Sequence, residues 1–543
     1  MIGAIIGDVI GSAYEFHNVR YKGFELFNDK TKFTDDTVCT IALMDYLLHA
    51  EKCDEKNAVK FLHKWTNKYP GAGYGGRFAA WVSSSDPKPY GSYGNGSAMR
   101  ISPVAWVAKD LEQLKQLSNV VTKITHNHPE GMKGALTVAT CIFMARNGSS
   151  KEEIKQYAVS QYPQIEDFEY EQLRKNYYFN ETCQESVPQA IYCFLISNDF
   201  EDCLRTTISI GGDCDTTAAM SCAIAEAYYM SVPDRLMMNV LFKLTSDMID
   251  VLDEFRNKYY SYDMEKRRKQ YNSVIKEFKG DYLALNRYVM THTYDECFQN
   301  PALKKLIEYT KTKQYVVLAK DEVEAEKDGP TINVVISNKR SFEAAKAYKG
   351  KKVAVLNFAN NHSIGGSPYS AGAQEESLCR TSTLLKCLEK ERDTYYKYHQ
   401  DLYEKGAIDN IGNDDLIYTP GVIVFKTDES APKMLDVDDW YDVNVITSAA
   451  PQLHYPMPDQ DKYLSYVILP RLRKVFQVAK KEKNEVLILG AWGCGAFRNN
   501  PETIARAFKI LCNEYHFETV EFAIDCSRGS NENYSAFKKV FNN

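Results

Sequence analysis

Two short stretches far apart in the chain, Thr34-Asp35-Asp36-Thr37 and Gly211-Gly212-Asp213-Cys214-Asp215-Thr216-Thr217, share one pattern: acids and hydroxyls stand immediately before an apolar run. The runs that follow, 38–50 and 216–230, repeat apolar residues every three or four positions, as do 56–68 and 134–146. That spacing is helical. Alternating β-branched runs are scarce before about residue 260, so the first part of the chain reads as all-helical. A threonine or aspartate before a helix is ordinary capping, and a carboxylate there complements the helix dipole. Capping accounts for one such residue per helix, not for paired aspartates and threonines at two helix starts. If the two starts converge, four carboxylates share a small volume and repel one another unless cations lie between them. Carboxylate and hydroxyl donors suit hard ions, Mg²⁺ or Mn²⁺.

The 543 residues are 44% hydrophobic and 25% charged. This composition is globular and implies several domains, which excludes a small secreted scaffold and a disordered chain. A net charge of −6 gives no reason to expect bulk binding to nucleic acid or to an anionic membrane. The fourteen cysteines include no Cys-x-x-Cys pair, so they read as free thiols of a reducing cytoplasm. The apolar start of the chain lacks a basic region and carries Asp8 and Glu15, which makes a poor signal peptide. No apolar run approaches the roughly 20 residues that span a bilayer. A cytoplasmic protein is expected.

In that first segment Gly3, Gly7 and Gly11 are four apart, so on a helix they form a smooth stripe for close packing, with Asp8 and Glu15 sharing another face. Taken alone, the segment reads as a buried helix with two incidental acids. A charged, tyrosine-rich stretch at 261–300, including Lys266-Arg267-Arg268-Lys269, reads as a solvated helical linker. Beyond it the texture is α/β. Short β-branched runs at 332–336, 353–357, 422–425, 443–447, 486–489 and 520–524 alternate with helical stretches such as 341–348 and 502–515. That alternation predicts a mixed or parallel sheet covered on both faces. The expected organisation is an all-α domain over 1–260, the linker, and a three-layer α/β domain over 301–543.

Two loops of the α/β part carry glycines. After the 353–357 strand comes Asn357-Phe358-Ala359-Asn360, then Gly365-Gly366-Ser367 and Gln374-Glu375-Glu376. A Gly-Gly pair lets backbone amides approach a phosphate or ribose, although a surface turn reads the same way. After the 486–489 strand comes Gly493-Cys494-Gly495-Ala496-Phe497, with Asn500 as a plausible cap and Pro501 at the first helical position. Strand, glycine loop and helix start make a diphosphate cradle. It has neither the Walker nor the Rossmann spacing.

Over roughly residues 1–255 the sequence resembles the ADP-ribosylglycohydrolase family. The ordered motifs are Gly7-Asp8 with Gly11 and Glu15, Thr34–Thr37, Gly94-Asn95-Gly96-Ser97-Ala98-Met99-Arg100, Thr125-His126-Asn127-His128-Pro129, and Gly211–Thr216. The resemblance implies an all-helical fold with two Mg²⁺ ions held by Thr34, Asp35, Asp36, Asp213, Asp215 and Thr216. It places Glu15 near the scissile bond and the backbone of Gly94, Asn95, Gly96 and Ser97 against phosphate and ribose. His128 lines the adenosine side or is a turn histidine before Pro129.

Residues 300–543 resemble the bacterial-type poly(ADP-ribose) glycohydrolases, whose core is a macrodomain. The resemblance implies Glu376 as general acid/base and Glu375 as the ribose-binding neighbour. Asn360 would orient the ribose, Gly365, Gly366 and Gln374 would complete the substrate loop, and Gly493, Cys494, Gly495, Ala496 and Phe497 would face the diphosphate, with Phe497 stacking. Ser367 stands where the family has a third glycine, and a side chain there is expected to narrow the phosphate channel. Both resemblances imply a hydrolase acting on ADP-ribosylated proteins or other macromolecules and releasing ADP-ribose. The alternative is a hydrolase whose macrodomain only reads ADP-ribose and raises its local concentration.

Overall fold

The computed structural model describes residues 1–260, 262–527 and 531–542. They form two compact units, Met1–Glu277 and Phe278–Asn543. Among the described residues no helix is long and apolar enough to cross a membrane.

The first unit is helical, and its centre is the pairing of Ile2–Gly11 with Cys214–Tyr229, both buried along their whole length. The glycine stripe makes the pairing close. A Cβ on Gly3 would overlap the Cys222 carbonyl, one on Gly7 the Ala218 backbone, and one on Gly11 the Asp215 Cα. The stripe therefore sets how near the first helix comes to the Asp213–Thr216 segment, and so belongs to the site as well as to the core. Gly7→Val is expected to destabilise this unit by about 1–3 kcal/mol. The check is its urea midpoint against that of Gly71→Ala, where nothing lies within 4 Å of the added carbon.

The charged 261–300 stretch differs from a solvated linker. Ser261 lies outside the described residues, but Met264–Val274 and Tyr282–Gln299 are helices. They bury Arg267, Tyr271 and Val274 in one and Leu285, Tyr288, Val289 and His292 in the other. The tyrosine rings and long aliphatic stems give these helices enough apolar surface to pack despite their charge.

The second unit is built on a seven-stranded sheet: β1 (Tyr315–Val317), β2 (Asn333–Ser337), β3 (Val353–Ala359), β4 (Leu416–Val424), β5 (Tyr441–Ala449), β6 (Val486–Leu489) and β7 (Thr519–Ala523). The order is β1-β4-β5-β3-β6-β7-β2, parallel from β5 through β2 and antiparallel at β4 and β1. Alternation along β3 sends Val353 and Val355 to one core and Ala354 and Leu356 to the other. Helices therefore cover both faces, giving three layers. The short β1 was not legible as a strand, because its three residues carry no alternation to detect. The loops after β3 and β6 leave the carboxyl ends of neighbouring strands, where open α/β sheets form their crevice.

Candidate active sites

In the first unit the helix Asp35–His49 begins at Thr34, but the Thr34 hydroxyl makes no cap. It donates instead to Asp8 Oδ1 at 2.6 Å, while the Thr34 and Thr37 amides each donate to Asp8 Oδ2 at 3.0 Å and the Thr37 hydroxyl donates to the same oxygen. A fully buried carboxylate from the first helix thus replaces the cap and ties that helix to the Thr34–Thr37 turn. Asp8 was absent from the expected ligand set. Its signal was an acid in the middle of an otherwise apolar ten-residue helix.

The Asp213–Thr216 turn arrives from the other side. Thr216 Oγ1 donates to Asp36 Oδ2 at 3.1 Å, the Thr216 amide to Asp215 Oδ1 at 2.9 Å, and Asn95 Nδ2 to Asp213 Oδ2 at 2.6 Å. Carboxylate oxygens of Asp8, Asp36 and Asp215 lie within 4.8 Å of one another, and so do those of Glu15, Asp213 and Asp215. Asp215 belongs to both groups. Glu15 does not share a helical face with Asp8, because the helix ends at Gly11 and Glu15 follows in a turn.

Burial, then mutual repulsion, pushes the Asp35 and Glu15 carboxyls up to about 7. Burial first raises those of Asp8, Asp36, Asp213 and Asp215 as well. Asp36 Oδ1 is buried and accepts no hydrogen bond. Oxygen donors only, a net excess of carboxylates and an orphaned buried oxygen fit a hard divalent cation.

The remaining expected residues of this unit sit around the cluster. The Gly94 carbonyl accepts from the Cys183 thiol, and Gly94 bridges Thr182. Gly96 packs by the His126 ring, and Ser97 Oγ donates to the Gly131 carbonyl at 3.1 Å. His128 caps the helix Pro129–Arg146 through Nδ1 and packs its ring 5.2 Å from that of Tyr93. Ser97 and His128 thus spend these contacts on the fold.

In the second unit the helix Gln374–Thr381 lies against β3. Gln374 uses its whole amide to fasten the two: Oε1 accepts from the Phe358 amide at 2.9 Å, and Nε2 donates to the Leu356 carbonyl at 2.8 Å and to Ser341 Oγ at 3.0 Å. Glu375 accepts from Asn357 Nδ2 at 3.1 Å and the Asn360 amide at 2.8 Å. Burial outweighs these donors and pushes its carboxyl up to about 8. Glu376 Oε1 accepts from the Ser367 amide at 3.1 Å, while its buried Oε2 has no hydrogen-bond partner. Gly365 and Gly366 have φ of +67° and +68°, and a Cβ on Gly366 would overlap Glu376 Oε1. Ser367 follows in ordinary backbone, exposed, so its position does not require glycine.

A cavity of about 450 Å³ gathers Asn360, Gln374, Glu375 and Glu376 with Gly493, Gly495, Ala496 and Phe497. The 493–497 loop is shaped by Gly493 at φ +71° and by Asn499, whose amide donates to the Gly493 and Pro451 carbonyls. The Cys494 thiol donates to the Trp492 carbonyl at 3.6 Å.

Residues 1–263 match the family model for ADP-ribosylglycohydrolase and residues 286–427 that for the catalytic domain of microbial-type PARG; the helical unit is similar to the first and the macrodomain-like unit to the second, which indicates glycosyl hydrolase activity. Among similar proteins are the ADP-ribosylhydrolase ARH3 of Homo sapiens, 28% identical over 42% of this chain and 84% of the relative. Another is the ADP-ribosyl-dinitrogen reductase glycohydrolase of Rhodospirillum rubrum, 26% identical over 42% of this chain and 83% of the relative. Among solved structures, the poly(ADP-ribose) glycohydrolase of Thermomonospora curvata bound to the inhibitor ADP-HPD is 25% identical over 47% of this chain and 98% of its own, with a TM-score of 0.41.

Proposed function

We propose that the protein is a bifunctional ADP-ribosyl hydrolase that removes ADP-ribose from modified macromolecules at the ribosyl C1″ bond, with a Mg²⁺-dependent N-terminal site and a metal-independent C-terminal site. The observation that carries this reading is the contrast between the two carboxylate groups. In the N-terminal unit acids face acids and Asp36 keeps an orphaned oxygen. In the C-terminal unit neutral amides from Asn357, Asn360 and Ser367 hold both glutamates.

Thr34, Asp35, Asp36, Asp213, Asp215 and Thr216 would hold two Mg²⁺ ions, with Mn²⁺ as the other ion the donors suit. Bound there, such ions supply electrophilic stabilisation to ribose oxygens and water. Asp8 orients the Thr34–Thr37 turn, and Asn95 orients Asp213. Glu15, with a carboxyl near 7, exchanges a proton close to neutral pH beside the scissile bond. Gly94, Asn95, Gly96 and Ser97 present backbone to phosphate and ribose.

In the C-terminal site Glu376 protonates the departing oxygen as the bond to C1″ breaks, then takes a proton from the incoming water. Glu375 and Asn360 hold the ribose, Gly365 and Gly366 let the chain approach Glu376, and the Gly493–Phe497 loop receives the diphosphate. Gln374 acts by fastening the helix to β3.

The test of the N-terminal reading is the pH dependence of Mg²⁺ binding. In the metal-free protein Glu15 and Asp35 are protonated below about 7, and a cation must displace those protons. Affinity is therefore expected to rise with pH from 6 to 8, by roughly tenfold per pH unit for each proton displaced below that point. Calorimetry in buffers of different ionisation enthalpy reads the released protons, and a flat affinity over this range contradicts the reading.

A further inference from the structure

We propose that Phe16, Phe179 and Glu181 form an acceptor subsite of the N-terminal unit, which receives a lysine or arginine side chain standing next to the modified residue of a polypeptide. The inference rests on the hydrolase reading of that unit and adds the chemistry of the group from which ADP-ribose is released.

Two segments are held against the 211–213 turn. The first carries Glu15 and is fastened by Asn18. Asn18 Oδ1 accepts from the Gly212 amide at 2.8 Å, and Nδ2 donates to the Gly212 carbonyl at 3.0 Å and to the Glu15 carbonyl at 2.9 Å. The second segment is 177–182. Its Tyr177 ring lies so close to Gly212 that a Cβ there would overlap it. Its other end pairs with the 94–97 loop: the Asn95 amide donates to the Glu181 carbonyl at 2.7 Å, and Gly94 bridges Thr182. Glu181 is thus the neighbour of Asn95, which holds Asp213.

Between the two segments the rings of Phe16 and Phe179 stack, with centroids 6.0 Å and planes 25° apart. Phe16 is 76% exposed and Phe179 39%. Single exposed apolar side chains are ordinary. These two come from separate segments, build one platform in solvent, and Phe16 directly follows Glu15.

An acid completes the platform. Glu181 is exposed, and among the described residues no ion pair holds its carboxylate. Burial chiefly raises the carboxyls of Glu15 and Asp213, and the charge of Glu181 adds to both, so Glu181 stands within electrostatic range of the reacting end. Ring faces beside a carboxylate suit a cation on an apolar stem. The stem lies along the rings, while the charge meets the ring face and the acid. The same acid repels the phosphates of a nucleic-acid acceptor.

The test uses the full chain carrying Glu376→Gln, with Mg²⁺, and two series of peptides ADP-ribosylated on a serine or on an arginine. The neighbouring position holds lysine, alanine or glutamate. EDTA-sensitive release is read as the ratio of kcat/KM for the lysine peptide to that for the alanine peptide, which cancels a loss of fold or metal in any variant. A ratio of roughly three to ten is expected, falling with added salt, and the glutamate peptide is expected to be the slowest. Glu181→Lys is expected to bring the ratio below one, and Phe16→Ala to lower it about twofold or more. A ratio near one in the starting protein, or one that survives Glu181→Lys or Phe16→Ala, overturns the inference and leaves the hydrolase standing. So does faster release from nucleic-acid-linked ADP-ribose than from the lysine peptides. No EDTA-sensitive release from any of these substrates overturns both.

Discussion

Glu376→Gln is expected to keep its grip on ADP-ribose while EDTA-resistant release falls by about 10²–10⁴-fold, the usual worth of a positioned general acid/base. The substitution keeps the shape of the side chain and an oxygen for the Ser367 amide, which donates to Oε1 at 3.1 Å. What it removes is the proton that Oε2, buried without a partner, exchanges with the departing oxygen and with water. Binding constants by calorimetry beside single-turnover rates separate the two effects. A macrodomain that only reads ADP-ribose has no rate to lose, so unchanged release in this variant favours that alternative. Glu375→Gln differs in kind. Both Glu375 oxygens accept from amide donors, and a glutamine offers one oxygen and one clashing NH₂.

Asp36→Asn is expected to abolish stabilisation by Mg²⁺ and to reduce EDTA-sensitive release by more than the roughly 10–100-fold that loss of an outer-sphere partner costs a metal site. In EDTA the same variant is expected to be more stable than wild type at pH 8, by about 1 kcal/mol or more, because one member of a buried like-charge group has become neutral. The signs follow from the raised carboxyls of the N-terminal cluster. A folded-state value above the unfolded one gives stability that is full at low pH and lost as pH rises through the folded value. Metal-free wild type therefore weakens as pH rises through about 7, where the Glu15 and Asp35 carboxyls lose their protons, and Asp36→Asn weakens less. Magnesium reverses the order of the two proteins by binding only one of them. Thermal melts at pH 5 and 8, with EDTA and with Mg²⁺, give the four comparisons. Equal melting of both proteins under all of them contradicts the cation site.

The residue types of both sites were legible because they break local rules. Two aspartates and a threonine exceed what a helix start needs, and Gly3, Gly7 and Gly11 mark a packing stripe whose partner proves to be the 214–229 helix. Contacts between segments were not legible. Asp8 reads as incidental until Thr34 and Thr37 are seen to donate to it across more than twenty residues of sequence. Gln374 looks like a ligand by motif, yet its amide is filled by β3 and Ser341. Glu15 was placed on a helix that ends before it, since the apolar pattern does not show where the turn begins. The expected effect of Ser367 on the phosphate channel rested on the family's third glycine, whereas its backbone here needs no glycine and its amide holds Glu376.

Whether two hydrolytic sites work independently in one chain is tested most directly by release of ADP-ribose from protein-linked, polymeric and nucleic-acid-linked substrates. Wild type, Asp35→Ala and Glu376→Gln are each assayed with and without EDTA. Two separable activities are predicted, one lost to EDTA and to Asp35→Ala, the other indifferent to both and lost to Glu376→Gln. If EDTA abolishes all release, or either variant alone does so, the division of chemistry between the two units is wrong.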